Sequence, residues 1–303
     1  MTEKDAKPKF ALALSGGALR GAAHIGIIEV LLENGLIPSI IAGSSAGSLI
    51  GALFARGVST VAMRRAATAF PGRRLIDWSF STWSVFLFLL SLPLRYFGIR
   101  VRITNLLPIG FIRGNALENY IRQLLNLLPV RQAIPLLVVT TDMYSGDCVV
   151  FTDLTPLPKG YYHTSFLPLK NIPDTVRASC SIPGIFTPKK IDGHYYIDGS
   201  IRENVPADLL YRVGAQKVIA VDLQKSGMNN MEFRNFTDVL SRAINILLDD
   251  ISSLRLEKYP AYVLAPELPN VTLTAFDDIE LCIEGGRKAA QAALPQILKY
   301  LSG

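Results

Sequence analysis

Ser45 sits in the stretch IIAGSSAGSLIG, Ile40 to Gly51, with Gly43 and Gly47 two residues to either side. An apolar strand, a turn over Gly43 to Gly47 and a helix through Leu49, Ile50, Leu53 and Phe54 would lift the Ser45 hydroxyl onto a sharp strand-to-helix turn. That is the layout of a nucleophile elbow, in which flanking glycines let the backbone bend and approach a substrate. The same pattern also suits a tight connection whose serine caps a helix, so nucleophile and cap both remain open on this motif alone. A second turn, SGGALRG from Ser15 to Gly21, follows an apolar strand that begins at Phe10 and precedes a helix that starts near Gly21. Amide N–H groups in such a turn, added to the positive end of a helix dipole, make a nest for a negative oxygen. A Walker loop is excluded because Ala22 and Ala23 stand where Lys and Ser/Thr are needed, and a dinucleotide fingerprint because Gly16 and Gly17 are adjacent. An oxyanion hole over Gly16, Gly17 and Ala18 remains. Arg20 would hold that loop in shape or add positive potential, with a solvated surface arginine as the plain alternative. The third stretch, YIDGS from Tyr196 to Ser200, contains an Asp-Gly pair that by itself reads as a turn.

Taken in order, G-G-x-x-R-G at Gly16 to Gly21, G-x-S-x-G at Gly43 to Gly47, A-S-x-x-x-P-x-x-F-x-P at Ala178 to Pro188 and D-G-S at Asp198 to Ser200 span most of the chain. In these four motifs the sequence resembles the patatin-like phospholipases, lipid acyl hydrolases that work with a Ser-Asp dyad and without the histidine of the usual triad. The resemblance implies that Ser45 is the nucleophile and Asp198 the base, that Gly16 and Gly17 lie in the oxyanion loop, and that Gly43, Gly47 and Gly199 support the turns. It implies a phospholipid or other acyl-ester substrate and no metal or organic cofactor. Ser200 departs from the pattern, since Gly or Ala is commoner at the third place of the D-G triplet. Hydrolysis through an acyl-enzyme, acyl transfer to an alcohol on the same residues, and a noncatalytic lipid binder on a hydrolase scaffold are the three readings; an intact serine, aspartate and glycine loop favours catalysis.

Serine is too weak an acid to attack an ester unaided, and the usual base is histidine. The chain has three histidines, His24, His163 and His194. His24 falls on the helix after the glycine turn, as a packing or capping group. His163 lies in the irregular PKGYYHTSF stretch, and His194 only four residues before Asp198. A histidine-dependent triad is therefore the minor alternative to the dyad.

The elements that must carry these residues read as an α/β fold, a three-layer arrangement with a mainly parallel sheet covered by helices on both faces. Strands are expected near Phe10 to Leu14, Ile40 to Gly43, Ile134 to Thr141, Cys148 to Phe151, His194 to Ile197, Lys217 to Leu223 and Tyr262 to Leu264. Helices are expected between them, from Ala22 to Asn34, after the elbow, from Gly114 to Leu128, Pro173 to Ser181, Val205 to Val213, Phe233 to Leu256 and Asp278 to Tyr300. Half of the 303 residues are hydrophobic and mean hydropathy is +0.30, enough for a large core. With no Pro/Gly/Ser linker, repeat or low-complexity run, residues 1–303 are expected to form a single domain, with an insertion-like basic and apolar segment at about 71–113. Cys148, Cys180 and Cys282 have no metal-ligand spacing and are odd in number, which points to a reducing compartment. The charged amino terminus lacks the long apolar core of a secretory signal, so a cytoplasmic location is expected.

Net charge is +6 and is concentrated. From Arg56 to Arg113 nine arginines face one acid, Asp77, and Trp78 to Leu94 carries no charge. Pro93 and four serines argue against a spanning helix there. Apolar and aromatic residues bracketed by arginines suit peripheral contact with an anionic membrane through about 78–102, at its inner face. A buried wall of the acyl pocket and a dimer contact are the alternatives. No recognition motif accompanies the basic charge, so nucleic acid is not expected as a partner.

Overall fold

A computed structural model of the chain describes residues 9–79, 109–126, 134–224, 236–268 and 276–303. In chain order the strands are β1 (Ala11–Leu14), β2 (Ile40–Ser44), β3 (Gly110–Ile112), β4 (Leu136–Asp142), β5 (Cys148–Thr152), β6 (Thr164–Pro168), β7 (Gly184–Phe186), β8 (Lys189–Ile191), β9 (His194–Asp198), β10 (Val218–Val221) and β11 (Tyr262–Leu264). The α-helices are α1 (Ala23–Glu33), α2 (Ala46–Ala55), α3 (Thr60–Thr68), α4 (Asn115–Asn126), α5 (Ile172–Ser179), α6 (Ala207–Arg212), α7 (Phe236–Leu256) and α8 (Ile279–Ser302).

The main sheet runs β11-β10-β1-β2-β4-β5-β6, and every pair from β11 to β4 is parallel. Strands buried on both faces explain the uninterrupted apolar runs ALAL and VIAV, whose residues are fully buried. Around β1 and β2 the two faces differ in side-chain size. Leu12, Leu14, Ile41, Leu136 and Val138 pack with α1, α2 and α8, while Ala11, Ala13 and Ala42 meet Leu209 and Leu210 of α6. Small residues on the second face let a short helix lie close to the sheet, and large ones fill the deeper layer on the first. Helices on both faces of a mainly parallel sheet make the expected three-layer α/β arrangement.

The local geometry that matters most is on β4. Its residues Leu136 to Val139 pair with β2, which ends with Ser44 opposite Val139. Its next residues, Thr140 to Asp142, pair with antiparallel β9, which ends with Asp198 opposite Thr140. Two strands distant in sequence thus run end to end along the same stretch of β4, and their inner ends meet. Thr141 Oγ1 fastens this junction by donating to the Asp198 carbonyl at 3.0 Å.

The strands β3, β6 and β7 escape the sequence patterning. β6 lies at the sheet edge with only Phe166 buried, so its residues carry no strong apolar signal. β3 and β7 form a separate two-stranded parallel pair held by three-residue segments, too short for any periodicity to register. Asp77, the single acid of the arginine-rich region, accepts from the amides of Gly114, Asn115 and Ala116 and so neutralises the exposed start of α4. The expected apolar run Trp78 to Leu94 lies, beyond Ser79, outside the described residues. Among the described residues no helix is long and apolar enough to cross a membrane.

Candidate active site

The turn between β2 and α2 holds Ser45 at φ 49° and ψ −123°, a conformation that L-residues rarely adopt. Strand and helix pull in different directions at this residue, so its side chain projects out of the bend. Gly47 sits against the backbone of Leu14 and Ser15, where a Cβ would collide with main-chain atoms. The lack of a side chain there lets the elbow and the glycine turn touch. Gly43 packs on Gly47 across the bend, and Gly199 on the Val139 carbonyl.

Ser45 Oγ donates to Asp198 Oδ2 at 2.6 Å, although 153 positions separate the two residues. Both are buried. The other carboxylate oxygen, Oδ1, accepts from the Ser200 amide at 2.8 Å. Burial pushes the Asp198 carboxyl up to about 6, and the hydrogen bonds from Ser45 and Ser200 offset only part of that. A hydroxyl bonded to a carboxylate poised near neutrality can hand over its proton without histidine.

The glycine turn lies beside this pair. It begins after β1 and leads through a 3-10 turn at Ala18–Ala22 into α1. Ser15 anchors it: its amide donates to the Val221 carbonyl, and its hydroxyl accepts from the Leu223 amide at 3.1 Å. The Gly16 amide donates to Asn204 Oδ1 at 3.2 Å, which commits it to the scaffold. The residues that follow, Gly17 and Ala18, are half-buried, and Ala18 takes a positive φ of 50°. Arg20 is half-buried, and desolvation lowers its guanidinium pKa, with Cys282 and Asp222 opposing. It is therefore not the freely solvated surface arginine of the plain alternative.

A family model described as patatin-like phospholipase matches residues 12–211. The chain belongs to the patatin-like phospholipase family. It is 30% identical over 220 residues to an uncharacterised NTE family protein of Mycobacterium tuberculosis, covering 72% of this chain and 50% of that protein. It is 28% identical over 233 residues to the neuropathy target esterase of Drosophila melanogaster, covering 76% of this chain and 14% of that protein. The chain thus spans about half the length of its mycobacterial relative. In fold it is similar to VipD from Legionella pneumophila, with a TM-score of 0.50 at 15% identity over 96% of this chain and 67% of that one.

The histidines of this patatin-like chain are all engaged elsewhere. His24 is fully buried, and its Nε2 donates to the Ser15 carbonyl at 2.9 Å. Desolvation lowers its pKa to about 4, so it is a neutral prop under the glycine turn. His163 Nδ1 meets Asp147 at 2.5 Å, and His194 Nδ1 meets Asp142 Oδ2 at 2.8 Å. Replacing His163 or His194 by alanine is accordingly expected to leave kcat/KM for an ester within a few-fold of wild type. Loss of activity in a folded variant would restore the triad. The Cys180 thiol, close to the pair, is pushed up to about 12 by burial and by the Asp198 charge, so it remains protonated. Among the described residues no group of His, Cys, Asp or Glu side chains gathers in a way that could hold a metal ion.

Of four further residues at the site, Ser179 lies in the A-S-x-x-x-P motif, while Asn204, Ser44 and Arg177 are not singled out from the sequence. Ser179 Oγ accepts from the Ser45 amide at 2.9 Å, and Asn204 Oδ1 from the Gly16 amide. Ser44 Oγ donates to the Glu203 carbonyl. Arg177 is a buried guanidinium on α5 whose Nε donates to the Gly114 carbonyl at 3.0 Å, and its Nη2 to the carbonyls of Arg113 at 2.6 Å and Thr187 at 3.0 Å. Its Nη1 reaches Ser181 Oγ, and Ser181 in turn accepts from the Asp198 amide through its carbonyl. One cation thereby ties the start of α4, the end of β7 and the loop that backs the base. Only the A-S-x-x-x-P motif, which contains Ser179, hinted that this region serves the site.

Proposed function

We propose that the chain is a serine lipid acyl hydrolase of the phospholipase A or esterase type, acting through Ser45 and Asp198. The observation that carries this reading is the 2.6 Å hydrogen bond from the Ser45 hydroxyl to a buried carboxylate. Asp198 takes the Ser45 proton as the oxygen attacks the acyl carbon of an ester. The amides of Gly17 and Ala18 hold the negative oxygen that develops, with Gly16 shaping the turn through Asn204. Protonated Asp198 then gives its proton to the departing alcohol, leaving an acyl group on Ser45. Water next loses a proton to Asp198 and attacks the acyl-enzyme, and that proton returns to Ser45 as the acid leaves. Every proton and bond in this cycle is carried by the side chains and amides named, so no cofactor enters a step. The name of the Drosophila relative, an esterase, is consistent with this reaction class. The test is labelling with a fluorophosphonate, which modifies an activated serine: wild type takes up the probe and Ser45→Ala does not. Equal labelling of both proteins would remove Ser45 from the reaction.

An anionic membrane is the proposed surface on which the substrate is met. Trp78, Ile109 and Phe111 are 59%, 75% and 51% exposed, and Trp78 bridges to Ile112 beside them. Exposed apolar and aromatic side chains among arginines suit the headgroup layer. Replacing Trp78 by alanine together with Ile109 and Phe111 by serine is expected to weaken flotation with phosphatidylglycerol vesicles several-fold. Unchanged flotation would turn this patch into a surface without a lipid role.

A further inference from the structure

Ser200 follows the Asp198-Gly199 pair and lies between the two halves of the site. It is 7% exposed. Its amide holds Asp198 Oδ1 at 2.8 Å, so its backbone belongs to the base. Its side chain faces the other half of the site: a Cβ placed on Gly16 would run into Ser200 Oγ, with Asn204 Oδ1 next at 3.1 Å. Ser200 therefore touches both the loop that carries the base and the turn that carries the amides. Yet its hydroxyl, fully buried, has no hydrogen-bond partner in the resting arrangement. A buried hydroxyl without a partner is costly, and alanine or glycine would occupy the place without that cost. A hydroxyl rotor can turn to a nearby acceptor, and the carboxylate two residues away already accepts from the amide of the same residue.

The geometry points to Ser200 as a positioning residue of the dyad: its hydroxyl turns onto the Asp198 carboxylate as a further donor, while its contact with Gly16 keeps the base in register with the oxyanion turn. This rests on the Ser45 and Asp198 reading given above. A donor to the ionised form holds a carboxylate ionised at lower pH than it would otherwise be. Among the described residues, the Cys180 thiol also faces Asp198, and burial keeps it neutral across the working range. The remaining neighbours, Ser45 and the Ser200 amide, are uncharged donors.

The consequence is read in the acid limb of kcat/KM, which reports the base in the free enzyme. Profiles would be measured on p-nitrophenyl butyrate for wild type, Ser200→Ala and Ser200→Gly, with urea unfolding as the check on folding and Ser45→Ala as the control. In both Ser200 variants the limb is expected to move up by about one pH unit, the scale of one lost hydrogen bond to a charge. A shift of that size corresponds to an activity loss of about fivefold at pH 6 and little loss at pH 8. The steric half is tested separately. Gly16→Ala should lose at least about tenfold in kcat/KM, and Ser200→Gly in the same chain should recover part of it, the non-additivity expected of residues in contact. Acid limbs that superimpose on wild type in both Ser200 variants overturn the proposal while leaving the dyad intact. Full activity in Ser45→Ala would instead overturn the dyad itself.

Discussion

Replacing Ser45 by glycine and by alanine is expected to abolish ester hydrolysis equally, yet to leave the glycine protein the more stable of the two. Each variant lacks the oxygen that attacks the ester, and loss of a serine nucleophile lowers kcat by at least about 10⁴-fold. They differ only in a methyl group. At an ordinary position alanine is favoured over glycine by about 0.5–1 kcal/mol, because glycine has more backbone freedom to lose on folding. At φ 49° and ψ −123° that order reverses, since a Cβ is strained there and glycine is not. The expected difference is about 1–2 kcal/mol in favour of glycine, measured as the shift in urea midpoint at constant slope. Both variants lose the same hydroxyl donor to Asp198, so that loss cancels from the comparison. An alanine variant as stable as the glycine one would mean that the elbow is relaxed. The strain is then not what projects the serine.

Asp198→Asn is expected to lose ester hydrolysis by about 10³-fold or more and to unfold at a higher urea concentration than wild type at pH 7.5. The activity loss follows from removing the carboxylate that takes the Ser45 proton in the proposed mechanism. The stability gain follows from burial, which raises the Asp198 carboxyl from 3.8 to about 6 in the folded protein. Between those values the folded state binds a proton that the unfolded state does not, so the ionised side chain opposes folding above pH 6. The difference is about 2 units, which corresponds to at most about 3 kcal/mol at pH 7.5. Asparagine carries no charge, still accepts from the Ser200 amide, and escapes that cost. As pH falls from 6 toward 4 the wild-type carboxyl becomes protonated, and the advantage of asparagine should shrink to nothing. Wild-type kcat/KM should rise with pH through about 6, where Asp198 becomes the ionised base. An asparagine variant that is less stable at pH 7.5 and shows no such trend would mean that the carboxylate is better solvated than its surroundings imply. The serine would then need another base.

Much of this protein can be read without coordinates. The apolar runs at Ala11–Leu14, at 136–139 and at Val218–Val221 announce buried strands, because a strand covered on both faces has no polar positions to alternate with. The glycines at 16, 17, 43 and 47 mark the two turns where a side chain would obstruct the backbone, and the D-G pair marks the third. The weaker elements escaped for the complementary reason. β6 is an edge strand with one buried residue, and β3 and β7 are held by three residues each.

What local pattern cannot carry is register between distant segments. Only the pairing of β2 and β9 end to end on β4 decides that Ser45 and Asp198 meet, since a slip of one residue would turn Asp198 to the other face. The tertiary structure alone commits the Gly16 amide to Asn204. It also buries Arg177 among backbone carbonyls and sets Ser200 against Gly16. These are contacts between residues far apart in the chain. Motif spacing records which chemical groups are present, but a hydrogen bond exists only where the folded backbone brings donor and acceptor within about 3 Å.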